Sequence, residues 1–154
     1  MATMNTDASA VRANLVREIQ SWGLEYAPQR LPLVREMVAD QMRRWGLEGR
    51  VEDARLVATE LVGNVRHTGD KHFRLTMRRR PEAIMIEVRD FSSVLVNFPE
   101  PATDLTALGD LRELAEHGRG LSCVRSFADG VGVRPVRNGK IVWAKLRYPH
   151  ACRP

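Results

Sequence analysis

Cysteine, lysine and long apolar runs are all scarce in this chain of 154 residues. Two cysteines, Cys123 and Cys152, are too few for a disulfide framework, which favours a reducing compartment. No stretch reaches the roughly 18 apolar residues that a membrane span needs, and the N-terminus has no apolar core of a secretory signal. We therefore expect a cytoplasmic protein without a membrane partner.

Lysine supplies only three of the 24 basic residues, and arginine supplies the others. Against 19 acidic residues this gives a net charge of +5, which by itself favours nucleic acid or an acidic protein as a partner. The basic residues are spread along the chain, and no segment is typical of a recognition helix or an RNA-binding aromatic pair. Direct nucleic-acid binding is therefore not expected.

The length and an apolar content of 44% fit one globular domain. We assign this domain to residues 11–148. Residues 1–10 precede it; they are small and polar and show no periodic apolar spacing, so we expect them to be disordered. A loose tail, 149–154, follows the domain. No internal repeat and no interdomain linker interrupts it.

The spacing of apolar residues predicts helices in the first half of the domain. Apolar residues recur every four positions over 11–19, which indicates a short helix, and 22–26 is then an edge strand or the end of that helix. A clearer helix begins at Leu31 and ends near Gly46, because its apolar stripe stops there and glycine is a common helix terminator. A second helix is predicted over 52–67.

Beyond residue 70 the apolar period changes to two, which is the period of a half-buried strand. Residues 91–117 are irregular and contain two prolines, which is typical of a functional loop. The predicted elements are a hairpin of 73–77 and 83–90, a helix over 121–128, and a second hairpin of 131–136 and 141–146 that turns at Asn138-Gly139. This order predicts an α+β sandwich, in which helices cover one face of a mixed, mostly antiparallel sheet.

The second helix carries a carboxylate and an amide on one face. Glu60 and Asn64 are four residues apart, Thr68 is four further on, and His67 lies three residues from Asn64. Carboxylate and amide oxygens suit a hard ion such as Mg²⁺, and the carboxylate could instead act as a general base. The plainer alternative, a solvated polar face, stays open on these residues alone.

Two further segments could carry chemistry. Asp90 leaves a strand, where it could cap a turn or accept a hydrogen bond from the exocyclic amine of a purine. Gly118-Arg119-Gly120 precedes the helix that starts at Leu121, and the backbone N–H groups at a helix N-terminus attract an anion. Two glycines before a helix could equally form only a tight turn.

In combination, these segments resemble the ATP-binding boxes of the Bergerat fold, the ATPase domain of gyrase and the histidine kinases. The closer likeness is to the small anti-sigma-factor serine/threonine kinases. It covers about 20–147, and its motifs are 58–64 (ATELVGN), 88–90 (VRD), 118–129 (GRGLSCVRSFAD) and 139–144 (GKIVWA), with Arg35 in the preceding helix.

The resemblance implies a role for each matching residue. Asn64 would bind Mg²⁺ and, through it, the phosphates of ATP. Glu60 would be the general base toward a serine or threonine hydroxyl, or toward water. Asp90 would accept a hydrogen bond from the adenine amine. The segment 92–117 would be the ATP lid, and the phosphates would be held by Gly118, Arg119, Gly120 and the helix start at Leu121.

Three departures from the family pattern bear on activity. Only one residue lies between Asn64 and the next basic residue, Arg66, where the family usually has two. In an α-helix this difference would turn Arg66 by about 100° around the axis. His67, a weaker and titratable cation, would then lie near the phosphates. Ser92 stands where the family usually has a glycine beside its adenine-binding aspartate. The lid also lacks a glycine-rich first half.

The resemblance thus implies an ATP-binding regulator of transcription that phosphorylates an antagonist protein, sequesters a sigma factor, or does both. Whether the chain is an active serine/threonine kinase stays open. The alternative is a catalytically inactive interaction module of the same fold, which binds a sigma factor or a helix-turn-helix regulator. A homodimer is compatible with either interpretation.

Overall fold

The computed structural model describes residues 18–93, 98 and 120–148. The predicted N-terminal segment 1–10, the predicted tail 149–154 and most of the predicted lid lie outside these ranges. The helix predicted over 11–19 also lies outside them, except at its last residues.

The first described strand, β1, spans Ile19–Glu25. A helix that extends to Ile19 is therefore wrong at its end, and the alternative of an edge strand near 22–26 is confirmed. Pairing explains this outcome, because β1 runs antiparallel to β2 (His72–Arg79) along its whole length. The sheet decides the conformation of a segment whose local spacing favoured a helix.

Three α-helices lie in the described ranges: α1, Leu31–Arg44; α2, Val51–Gly63; and α3, Gly120–Phe127. The end of α1 confirms the predicted stop, because Gly46 takes a φ of 70°. The Leu47 N–H then bonds the Met42 carbonyl at 3.0 Å, which satisfies a carbonyl of the last turn. None of the helices in these ranges is long and apolar enough to cross a membrane.

The remaining described strands are β3 (Ala83–Asp90), β4 (Gly130–Val136) and β5 (Gly139–Arg147). The five strands form one sheet in the order β1-β2-β3-β5-β4. β5 follows all other described strands in the chain, yet it lies between β3 and β4. Every strand pairing in the described ranges is antiparallel, so the predicted α+β class is confirmed.

The hydrophobic core lies between the helices and one face of the sheet. Burial alternates along β3 and β5, as expected for strands covered on one side. The helix α2 is central, because it contacts α1, α3, β3 and β5. Its apolar stripe, which continues into the turn that follows the helix, is at most 1% exposed and consists of Ala54, Val57, Ala58, Leu61 and Val65.

The hairpin of β4 and β5 turns one residue earlier than predicted. Arg137 and Asn138 form its loop, and Gly139 already pairs with Val136. Asn138 supplies the left-handed residue, with a φ of 59°, which asparagine tolerates better than most side chains. Gly139 serves a different purpose, because a Cβ at this position would overlap the backbone carbonyl of Asp90. Glycine therefore lets β5 start directly beside the end of β3.

Candidate functional site

A cavity of about 60 Å³ opens at the C-terminal end of α2. At about 15 Å³ for each water position, it has room for a few waters or for an ion with part of its shell. Its lining consists of Glu60, Gly63, Asn64, Arg66, His67, Gly120 and Leu121. Five predicted site residues, which come from two distant segments of the sequence, therefore meet at one point.

The chain changes its helical form at Asn64. The helix α2 ends at Gly63, and Asn64–His67 is a 3-10 helix, which has about three residues per turn. The predicted α-helix to His67 is therefore wrong in its last turn. The tighter turn also alters the effect of the short spacing after Asn64. Arg66 is not turned away from the site, because it lines the cavity beside His67.

Glu60 is the acidic side chain of the cavity. Burial raises the pKa of Glu60 above its ordinary value of 4.5, and the charges of Arg66 and Arg35 act in the opposite direction. A carboxylate whose pKa is raised accepts a proton more readily than an exposed one. The site thus combines partial desolvation with nearby positive charge around one candidate base.

Arg35 reaches this environment from α1; it matches the family pattern in the sequence, which assigned it no role. Its Nε donates to the Thr59 hydroxyl at 3.4 Å, and its charge lowers the pKa of Glu60. Because α1 and α2 pack side by side, the guanidinium of one helix acts on the carboxyl of the other. Residue spacing within a single helix carries no signal for such a contact.

Cys123 lies on α3 close to Glu60 and is 1% exposed. Burial raises the pKa of its thiol to about 11, and the negative charge of Glu60 acts in the same direction. The thiol therefore stays protonated at neutral pH. A thiolate nucleophile is excluded at this position, and Cys123 is a small residue of the core.

His67 does not supply the cation that the sequence predicted. The Nε of Arg66 donates to the Nε2 of His67 at 2.9 Å, so this ring nitrogen is an acceptor. Burial lowers the pKa of His67, and the positive charges of Arg66 and Lys71 lower it further. The imidazole is therefore neutral near physiological pH, and the permanent positive charge at the cavity belongs to Arg66.

Asp90 ends β3 and is 1% exposed. Its Oδ1 accepts a hydrogen bond from the Ser92 backbone N–H at 2.9 Å, which is the turn-capping role left open by the sequence. The ammonium of Lys140 lies 3.1 Å from Oδ1 and 3.0 Å from Oδ2. Asp90 is not among the residues that line the cavity.

The predicted phosphate-binding segment is only partly described. Gly118 and Arg119 lie outside the described residues, whereas Gly120 starts α3 and Leu121 follows it. Gly120 approaches Glu60 so closely that a Cβ at this position would overlap the carboxylate. The absence of a side chain at residue 120 therefore leaves room for Glu60 at the cavity.

The donor set of the cavity fits Mg²⁺ held together with a phosphate. Within the described part of the chain, no three His, Cys, Asp or Glu side chains gather at one point. Glu60 and Asn64 offer one carboxylate and one amide oxygen. Because Mg²⁺ usually takes one or two protein ligands and completes its shell with waters and phosphate oxygens, Asn64 suits an ion that arrives with a nucleotide, and Glu60 is left to act as a base.

Residues 24–146 match the histidine kinase-like ATPase domain family. No curated protein matches the chain. The matched range includes all residues that line the cavity, as well as Asp90 and Lys140. This family implies ATP binding and usually Mg²⁺, and the α+β architecture is consistent with a Bergerat-type domain. The chain therefore belongs to the histidine kinase-like ATPase domain family.

Proposed function

We propose that this protein binds Mg·ATP and regulates transcription in the cytoplasm in the manner of the anti-sigma-factor serine/threonine kinases. It would phosphorylate a serine or threonine of an antagonist protein, sequester a partner such as a sigma factor, or do both. The observation that supports this most is the meeting of Glu60, Asn64 and Arg66 at one cavity. They offer a base, a metal-binding amide and a permanent cation, which are the groups that phosphoryl transfer uses.

Different parts of the fold would hold different parts of the nucleotide. Asn64 would bind Mg²⁺, and Arg66 would pair with phosphate oxygens. The backbone N–H groups of 118–120 would add hydrogen bonds to the phosphates. His67 would line the same end of the site as a neutral ring. Asp90 would accept a hydrogen bond from the amino group of adenine.

Glu60 would accept the proton of the attacking hydroxyl group. When bound, Mg·ATP supplies the phosphoryl group and neutralises part of its charge. Burial raises the pKa of Glu60, which makes the ionised carboxylate a better base than an exposed glutamate. Arg35 and Arg66 oppose that rise and so keep the ionised form available.

Calorimetric titration with ATP and ADP, with and without Mg²⁺, tests the binding step. We expect wild-type protein to need Mg²⁺, and Asn64→Ala to bind ATP about 10- to 100-fold more weakly. One hydrogen bond or ligand contact to a charged group contributes about 1.5–3 kcal/mol. Gln20→Ala removes the same amide from the edge strand β1 and should bind like wild type.

Two results of this titration would contradict the assignment. Binding that does not depend on Mg²⁺, or that Asn64→Ala leaves unchanged, would place the ion elsewhere. Absence of ATP binding at millimolar concentration would contradict the nucleotide function and support the interaction module described below.

Gly120→Ala should reduce phosphoryl transfer about 100-fold with little loss of stability. The new Cβ would overlap the carboxylate of Glu60, whose flexible side chain can move away. A shift of about 1 Å in a reacting group costs about 100-fold in rate. Replacing glycine by alanine within a helix, in contrast, stabilises the helix by up to about 1 kcal/mol. Thermal unfolding and a transfer assay measure the two effects. A wild-type rate would show that the position of Glu60 is unimportant.

A non-catalytic interaction module of the same fold is the second candidate. The bond from Arg66 to the ring of His67 favours it, because that guanidinium Nε is not directed at a phosphate. The partner would be a sigma factor or a helix-turn-helix regulator, and two copies of the chain could present the surface together. Full biological activity of a Glu60→Ala variant would support this candidate over the kinase.

A further inference from the structure

A second cavity lies on the face of the sheet opposite to α1, α2 and α3. Its volume is about 630 Å³, which is within the usual range for ligand pockets. Met85 and Glu87 of β3 and Trp143 and Lys145 of β5 line it, together with the turn 80–82 between β2 and β3. These strand residues alternate with buried residues of the core, so they point away from the helices.

Trp143 forms one wall of this cavity and lies against the backbone of β4. A Cβ on Gly132, its direct partner in the strand register, would overlap the indole ring, and a Cβ on Gly130 would lie 3.7 Å from that ring. Glycine within a strand weakens it and often marks a place where another group approaches closely. The two glycines thus make room for the indole, which is half-buried and presents a large apolar surface to the cavity.

The outward positions of the five strands carry an excess of positive charge. Strand register places six basic side chains on this face: Arg74, Arg78, Arg89, Arg134, Lys145 and Arg147. Two carboxylates share it, those of Glu25 and Glu87, and Arg78 binds Glu87 at 3.0 Å. Arg74, Arg134 and Arg147 are exposed. The surface around the cavity is therefore basic and attracts a partner that carries acidic groups.

This face is less suited to two other occupants. A second copy of the chain would bring the same basic surface against itself in a symmetric dimer, where like charges repel. Single-stranded nucleic acid usually stacks successive bases on several aromatic rings, and Trp143 is the one aromatic residue at the outward positions of the five strands. One apolar wall among several cations fits an acidic protein segment better.

We propose that this face binds an acidic segment of a partner protein and that one apolar side chain of the segment enters the cavity against Trp143. Carboxylates of the segment pair with Lys145 and Arg80, which line the same cavity. Tryptophan and arginine often dominate the binding energy of protein interfaces. The segment binds without nucleotide, because no residue that lines this cavity also lines the one around Glu60.

Fluorescence anisotropy of a labelled peptide tests this proposal. The probe is a glutamate-rich peptide with one central phenylalanine, and its counterpart has lysine in place of each glutamate. The proteins are the wild-type chain, Trp143→Ala, Lys145→Glu and Arg44→Glu. Arg44 is exposed on the last turn of α1, in the helix layer, so Arg44→Glu is the matched charge reversal. Thermal unfolding establishes that each variant is folded.

We expect the wild-type chain and Arg44→Glu to bind the glutamate peptide at least about tenfold more tightly than the lysine peptide, and less tightly as the salt concentration rises. Trp143→Ala should weaken binding of the glutamate peptide about 30-fold, the scale of an aromatic anchor at the centre of an interface. Lys145→Glu should weaken it about tenfold or more by charge repulsion. If Trp143→Ala does not fold, Lys145→Glu still decides.

Failure of the wild-type chain to prefer the glutamate peptide would overturn this inference, and so would equal effects of Lys145→Glu and Arg44→Glu. Tighter binding of a single-stranded RNA of equal net charge would also overturn it, as would sedimentation of a dimer that Trp143→Ala dissociates. Calorimetry with Mg·ATP should give the wild-type affinity for Trp143→Ala and Lys145→Glu. A negative result with the peptide therefore leaves the proposed nucleotide function intact.

Discussion

Replacing Glu60 by glutamine is expected to slow phosphoryl transfer by roughly 10²–10⁴-fold, the usual contribution of a general base. Glutamine keeps the shape of the side chain and removes its affinity for a proton. The affinity for Mg·ATP should therefore stay within about threefold of wild type. Single-turnover transfer to a serine-containing antagonist protein gives the rate, and calorimetry gives the affinity.

Glu52→Gln is the matched control, since it lies on the first turn of the same helix. The Glu52 side chain is 80% exposed and pairs with Arg55 at 3.0 Å. This variant should transfer phosphate at the wild-type rate. Equal rates for Glu60→Gln and wild type would contradict the role of Glu60 as base.

The Glu60→Gln variant should also be more stable than wild type at neutral pH. Burial raises the folded-state pKa of Glu60 above 4.5, the value for the unfolded chain. At a pH between 4.5 and the folded-state pKa, the folded protein therefore binds more protons than the unfolded chain. Wild-type stability therefore falls as the pH rises through the folded-state pKa. The difference between the two unfolding midpoints should shrink as the pH is lowered toward 4.5. A difference that does not vary with pH would point to packing instead of ionisation.

Gly139→Ala should destabilise the fold by about 3 kcal/mol or more, the combined scale of overpacking and backbone strain. A Cβ on residue 139 would overlap the backbone carbonyl of Asp90, which cannot rotate away as a side chain can. Its φ of +158° also lies where L residues are rarely found. In a domain of this size the unfolding midpoint should fall by roughly 10 °C.

Gly49→Ala separates this clash from the general effect of adding a methyl group. Apart from the local backbone and the two chain neighbours, no described residue has an atom within 4 Å of a Cβ built on Gly49, so the midpoint should change little. A similar midpoint for Gly139→Ala and Gly49→Ala would mean that β3 and β5 can separate at this end without cost.

Periodic apolar patterns were sufficient to predict the elements that bury a continuous stripe. The stripe of α2 and the alternation of β3 are both present where the spacing predicts them. The prediction failed where pairing or a tight turn overrides local spacing. Ile19 pairs with Arg78 in the sheet, and Asn64–His67 tightens into a 3-10 helix.

The motifs predicted which residues share the site better than they predicted its charges. Glu60, Asn64 and Gly120 do meet at the cavity. The charge assigned to His67 was wrong because a neighbouring guanidinium bonds its ring. Arg35 and Lys140 gain their importance from contacts between separate elements. Such contacts depend on helix packing and strand register, which spacing along one segment does not encode.

The order of the strands sets the order in which this protein can be completed during synthesis. β5 is the last described strand to leave the ribosome, and it fills the gap between β3 and β4. Until it emerges, β4 lacks its partner among the described strands, and Asp90 lacks the ammonium of Lys140, which is 50 residues further along the chain. A nascent chain that ends before β5 thus holds the residues around Glu60 but lacks the buried partner of Asp90. The buried charge of Asp90 is therefore balanced only after β5 has been synthesised.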